Sequence, residues 1–178
     1  MKYVFFILFF PATTPIARGK LVEEGLVVGK EYSVSFKLFP TKLSPGWHNV
    51  LHFTTGTDHG QPGSRIPAVW LHKSAGDSWS RSLFICSFVN RNVNYCWTSG
   101  KIKANKWAQV QIRQTRGVLE YKYQILINGI VQHEEGNYLG VRAFENVKLY
   151  VSDPWHAAQE GLIKDLEYSR GGYNFDFH

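Results

Sequence analysis

The chain has 178 residues and a mass of 20.4 kDa, is 44% hydrophobic and 15% aromatic, and is only 19% charged; that suffices for one core and is short for two ordinary domains. So much apolar surface excludes intrinsic disorder, the 16 glycines and seven prolines follow no collagen-like period, and no run of about eighteen apolar residues is present to span a bilayer. The formal charge of +6 is spread rather than clustered, which argues against a nucleic-acid groove and leaves a weak attraction for acidic glycans or anionic surfaces.

Met1-Lys2 precedes the apolar run from Val4 to Phe10, then Pro11 and small residues as far as Ala17-Arg18-Gly19. A basic start, a short apolar core and a small-residue exit predict a secretory signal over residues 1–19, with a cut after Ala17 as the alternative to one after Gly19. Removing Lys2 and Arg18 leaves 18 basic against 14 acidic residues, a charge of +4. The expected product is a secreted, extracellular domain over residues 20–178.

Period-two alternation then dominates. Residues 31–38 place Tyr32, Val34, Phe36 and Leu38 on one face and Ser33, Ser35 and Lys37 on the other, a strand with one wet face. Pro45-Gly46 marks a turn, residues 49–54 read as a strand, 56–63 as a polar loop and 66–72 as a short strand. Residues 82–98 fold as a hairpin about Asn90-Arg91-Asn92, which sets Cys86 opposite Cys96. In an exported chain that register predicts one disulfide, buried free thiols being the alternative. Residues 107–114 and 119–127 alternate, and Asn128-Gly129 turns the latter into 130–132. Residues 146–151 and 161–168 supply the last strands, and only 155–160 reads as a helical turn. About ten short strands without a convincing helix predict an all-β sandwich.

Several of these segments, in order and spacing, resemble the concanavalin A-like lectin and glucanase superfamily, particularly its laminin G-like and pentraxin-like branch. The resemblance is carried by the Tyr32-x-Val-x-Phe36 strand, Lys106-Trp-x-x-Val-x-Ile112, Ile125-x-Ile-Asn-Gly129, Val147-x-Leu-Tyr-Val-Ser-Asp-Pro-Trp155 and Gly161-Leu-Ile-Lys-Asp-Leu166. Residues 49–54 and 63–70 are also similar to secreted animal proteins of this type. The resemblance implies one jelly-roll domain of two antiparallel sheets and says little about function, because these motifs are mostly core and turn chemistry.

The superfamily includes glucanases, which need paired carboxylates on one strand face. Ile163-Lys-Asp-Leu-Glu167 is the nearest approach, with isoleucine at the nucleophile position. A polysaccharide lyase would use groups such as His52, Arg113, Tyr121 and Tyr123 if they share one sheet surface. His52 and His72 lie within strands and read as hydrogen-bonded structural histidines. No catalytic residue is assigned.

Sugar binding wants a flat aromatic against the apolar face of a pyranose and planar polar groups for its hydroxyls. Trp47, Asp58, His59, Arg65 and Trp70 are the candidates, with His48 and Gln61 beside them and Trp79, Arg81, Trp97 and Trp155 on another edge. Arg65 either meets a ligand or pairs with Asp58 to hold the loop. Calcium is the one cofactor with candidate ligands, Asp58 and Asp153, although Asp153 before Pro154 also has the look of a cap on the turn that follows. The expectation is a non-catalytic lectin for an extracellular glycan or glycoprotein. The alternatives are a matrix or protein-binding module and a lyase-like enzyme.

Overall fold

The computed structural model describes residues 13–73 and 81–171. Its strands are β1 (Thr14–Pro15), β2 (Leu21–Val28), β3 (Tyr32–Pro40), β4 (Gly46–Thr54), β5 (Ala68–Lys73), β6 (Arg81–Val89), β7 (Asn92–Ile102), β8 (Ala108–Arg116), β9 (Tyr121–Ile127), β10 (Ile130–Asn137), β11 (Phe144–Tyr150), β12 (Ala157–Ala158) and β13 (Gly161–Arg170). The first sheet has the order β1-β13-β3-β8-β9-β10 and the second β2-β11-β4-β5-β6-β7, with β12 added to β4. Pairing is antiparallel throughout except for the two-residue β12–β4 contact. Among the described residues no helix is long and apolar enough to cross a membrane.

The alternation read from the sequence is what closes the sandwich. Val34, Phe36 and Leu38 from β3 and Val110 and Ile112 from β8 meet Leu51 and Phe53 from β4, Val69 and Leu71 from β5, and Leu83 and Ile85 from β6 in one core. Because successive side chains on a strand point to opposite faces, Ala68, Trp70 and Cys86 lie on the outer side of the second sheet, where they form a small cluster with Phe84 and Cys96. The predicted hairpin is present, with a disulfide joining Cys86 and Cys96. Its turn is shorter than predicted. Asn90 and Arg91 take left-handed conformations between Val89 and Asn92, and a register shift restores the cysteine pairing.

Three segments differ from the sequence reading. β2 was not predicted; its pairing with β11 shifts register three times, and Gly25 sits at φ +75°, so no clean alternation survives. Residues 155–160 form bends and β12 rather than a helical turn, because Ala157 and Ala158 find partners on His48 and Asn49 of β4. Residues 14–16, within the stretch read as the exit of the leader, join the sandwich. Thr14 and Pro15 pair with Ile163 and Leu162, and Ile16 is 8% exposed within the core. Arg18 donates twice to the Pro154 carbonyl and the Gly19 amide donates to the Asp153 carbonyl at 3.2 Å, clamping the stretch that carries Asp153. The apolar run from Val4 to Phe10 and Trp79 lie outside the described residues.

Candidate functional site

The loop between β4 and β5 is ordered by its own bonds. Thr54 Oγ1 accepts the amides of Gly56 and Thr57 at 3.0 and 3.1 Å, Ser64 Oγ accepts the Gln61 amide at 3.1 Å, and the Thr55 amide donates to the Gly63 carbonyl at 2.9 Å. Gly63 is required there: at φ +96°, a Cβ would fall 2.7 Å from Thr55 Oγ1 and 3.2 Å from Phe144. This frame fixes Asp58 and Arg65 relative to the sheet.

Arg65 pairs with Asp58 and holds the loop. Its Nε donates to the Asp58 carbonyl at 2.9 Å and Nη2 reaches Asp58 Oδ1 at 3.3 Å, while Nη1 donates to Asn94 Oδ1 on β7 at 2.8 Å. Its guanidinium lies 4.6 Å over the centre of the Trp70 ring. The arrangement ties the loop to the sheet and sets a cation–π contact on a ring that is only 2% exposed. Trp70 is therefore the floor beneath Arg65.

Beside them, His52 and Asp153 are completely buried. His52 Nδ1 meets Asp153 Oδ2 and its Nε2 meets the Ser64 carbonyl, both at 2.7 Å. Both ring nitrogens of His52 thus face acceptors inside the protein. Asp153 Oδ1 also accepts the amides of Trp155 and His156 at 3.0 and 2.8 Å, the cap anticipated for this residue. Burial alone would push the Asp153 carboxyl up, yet the donors of His156 and His52 outweigh it and hold it well below the usual carboxylate range. His156 in turn places Nδ1 3.0 Å from Asp153 Oδ2 and Nε2 3.9 Å from Asp58 Oδ2. The Asp153 contact raises His156 above an ordinary imidazole against the opposing pull of burial.

Asp58, Asp153 and His52 bring potential ligand atoms within 4.8 Å of one another, so the two acidic residues considered for calcium do converge. Their oxygens are engaged, however. Asp153 accepts from His52, Trp155 and His156, and Asp58 meets Arg65 and His59, the latter at 3.0 Å. The oxygens of both carboxylates thus already accept bonds from neighbouring side chains and amides, whereas a divalent cation would want several free ones.

Trp47 stands at the other end of the same outer face. It stacks on His72 with 3.8 Å between ring centres, meets Phe84 edge-on at 4.7 Å, and is 44% exposed. Phe84 contacts Trp70 at 6.4 Å, and Trp70 contacts His156 at 5.4 Å. A strip of rings thus runs from the exposed indole of Trp47 to the charged cluster. His156 and Asn94 were missed by sequence reasoning. For His156 a signal existed in the spacing Asp153-x-x-His156 across a cap, whereas Asn94 reaches Arg65 only through the pairing of β6 with β7. The four residues considered for a lyase do not share a surface. Tyr123 is in the core, Arg113 donates to Gln124 on the outer side of the first sheet, and His52 belongs to the second.

No family model matches the sequence, and no curated protein matches it either. Solved structures do share its architecture. A heptameric SAP-like pentraxin from Limulus polyphemus superposes with a TM-score of 0.58 at 11% identity, covering 88% of this chain and 75% of that one. The fold is the concanavalin A-like jelly roll. The alginate lyase Aly36B has a TM-score of 0.53 at 13% identity, over 89% of this chain and 79% of its own. A carbohydrate-binding module of a Ruminococcus gnavus sialidase, bound to α2,3-sialyllactose, has 0.51 at 11%, over 90% and 92%.

Proposed function

We propose that this jelly roll is a non-catalytic glycan-binding protein whose site is the outer face of the second sheet, with a preference for acidic sugars. One observation carries the reading: the half-exposed Trp47 indole, braced flat on His72, continues through Phe84 and Trp70 into the Arg65–Asp58–His156 cluster. The indole offers a surface for the apolar face of a pyranose. The Arg65 guanidinium and the His156 ring supply donors for a carboxylate or sulfate, and the exposed His59 stands at the cluster's rim. A carbohydrate-binding module with the same fold, solved with a sialylated sugar, is compatible with this reading.

The test is a glycan array probed with the mature chain in calcium and in chelator. Saturable binding of an acidic sugar class, equal in both arms, is the expected result. Loss in chelator would assign a metal to Asp58 and Asp153 after all, and silence from folded protein in both arms would favour a matrix or protein-binding module. We further propose that the chain is exported and that its leader is cut upstream of Thr14, since Thr14 and Pro15 pair with β13 and Ile16 packs into the core. N-terminal sequencing of the secreted protein checks this, and a mature start at residue 20 would refute it.

A further inference from the structure

The hairpin turns of this chain follow the rule that tips use residues tolerant of left-handed backbone or tolerant of water. Asn90-Arg91 joins β6 to β7 and Asn128-Gly129 joins β9 to β10, all four with positive φ. The β8–β9 turn breaks the rule. The Gly117 amide closes it on the Glu120 carbonyl at 2.7 Å, and its two central residues are Val118 and Leu119, which are 101% and 96% exposed. Nothing in the turn geometry asks for two large aliphatic side chains in full contact with water.

A second loop presents the same chemistry beside it. Tyr138 and Leu139, after β10, are also exposed, and the two loops enclose an open hollow of about 510 Å³ with Lys30 and Arg116 on its wall. The Asn90 side chain accepts the amides of Tyr138 and Leu139 at 3.0 and 3.2 Å, which fixes this second loop to the β6–β7 turn. Four exposed cations lie at this end of the sandwich: Lys30 and Arg116 on the wall of the hollow, Arg91 against Gly140, and Arg142 over the Phe88 and Phe144 rings. None of the four makes an ion pair among the described residues. The acidic side chains here, Glu31 and Glu120, are half-buried, and Glu31 is taken up by the Arg116 amide at 3.2 Å.

We propose that this end of the sandwich is a docking surface for an anionic phospholipid bilayer. Val118, Leu119 and Leu139 enter the acyl boundary, and Lys30 and Arg116 beside them meet lipid phosphates at the headgroup level. The shape favours a bilayer over a protein partner. The apolar residues are highly exposed on two adjacent loops, which a fluid interface accepts without a matching cavity, and Lys30 and Arg116 line the same hollow. The surface is separate from the glycan site and does not depend on it.

The experiment is co-sedimentation of the mature chain with vesicles of phosphatidylcholine alone and of equimolar phosphatidylcholine and phosphatidylserine, at low and high salt. Binding to the anionic vesicles that weakens in high salt is expected. Val118→Ser with Leu119→Ser should lower it by about tenfold or more, and Arg116→Glu by about fivefold or more. Both changes fall on exposed positions, and an unchanged unfolding midpoint certifies the fold. Several outcomes overturn the proposal: no sedimentation with anionic vesicles, equal binding to both vesicle types without salt dependence, or retained binding by the double variant. Self-association of the wild-type chain that the double variant abolishes, without vesicle binding, would reassign the surface to a second copy of the chain.

Discussion

Asp153 and Asp58 belong to one cluster and have opposite surroundings. The Asp153 side chain is fully buried and accepts from two histidine rings and two amides; the Asp58 side chain is 18% exposed and meets Arg65, His59 and, at 3.9 Å, His156. The first carboxylate has no oxygen left for a ligand, and the loops around it are built onto it. The second holds a loop at the surface and keeps its cationic neighbours within reach of solvent. The number of donors already aimed at a group, more than its position in the chain, separates architecture from an available site.

The largest expected effect follows from the buried member. Asp153→Ala removes the buried partner of His52 and His156 and uncaps the turn, so the unfolding free energy in urea should fall by about 3–5 kcal/mol, whereas Asp58→Ala, on a less buried side chain with fewer donors aimed at it, should cost about 1–2 kcal/mol. Equal costs would erase the distinction. The pH dependence has two limbs. Asp153 is depressed in the folded state, so its contribution is present above the ordinary carboxylate value of about 4 and is lost as pH falls below it. His156 is raised, so its contribution is complete below its ordinary 6.5 and is lost as pH climbs through the higher folded value. Asp153→Asn should flatten both limbs of the urea midpoint plotted against pH.

The disulfide comes next. It lies on the outer face, with Cys86 3.8 Å from Arg65 Nη1, and closes a loop between residues only ten apart. Reduction, or Cys86→Ala with Cys96→Ala, should cost about 2–3 kcal/mol and loosen the attachment of Arg65 to β7. Trp47→Ala and Arg65→Ala address the exposed side of the comparison. Each should weaken glycan binding, Trp47→Ala by about tenfold, while the fold persists, because both side chains sit outside the main core. Unchanged affinity in Arg65→Ala would remove the loop from the site.

Much of this was legible in the sequence where one face is polar. β3, β8 and β9 alternate cleanly because their outer residues are polar, although Ser33, Ser35 and Gln111 are buried there and Gln111 donates to Ser33 rather than meeting solvent, and the Cys86–Cys96 pairing followed from counting outward from Arg91. β2 was illegible because Gly25 and repeated register shifts break its period. Ala157 and Ala158 joined β4 through a contact that no local propensity encodes. At the site, the Asp58–Arg65 pairing and the Asp153 cap are short-range and were readable. The meeting of Asp58 with His156, and of Arg65 with Asn94, depends on which strands become neighbours, and that is written in the sheet order. Trp70 carried the composition of a binding residue and turned out to be a floor, since alternation placed it outward but Arg65 covers it.

The smallest effect tests the comparison most finely. His156 touches both carboxylates, Asp153 through Nδ1 at 3.0 Å and Asp58 through Nε2 at 3.9 Å. The nearer contact is a hydrogen bond and the farther one only a Coulomb interaction close to solvent, so their influence on the ring should be unequal. In an NMR titration of the ring protons, Asp58→Asn should lower the His156 midpoint slightly, and Asp153→Asn should lower it more. A larger shift from Asp58→Asn would mean that the surface carboxylate, and not the buried one, governs the charge of His156. The ring would then respond to whatever ligand displaces Asp58, which makes the titration a direct readout of occupancy once a sugar is in hand.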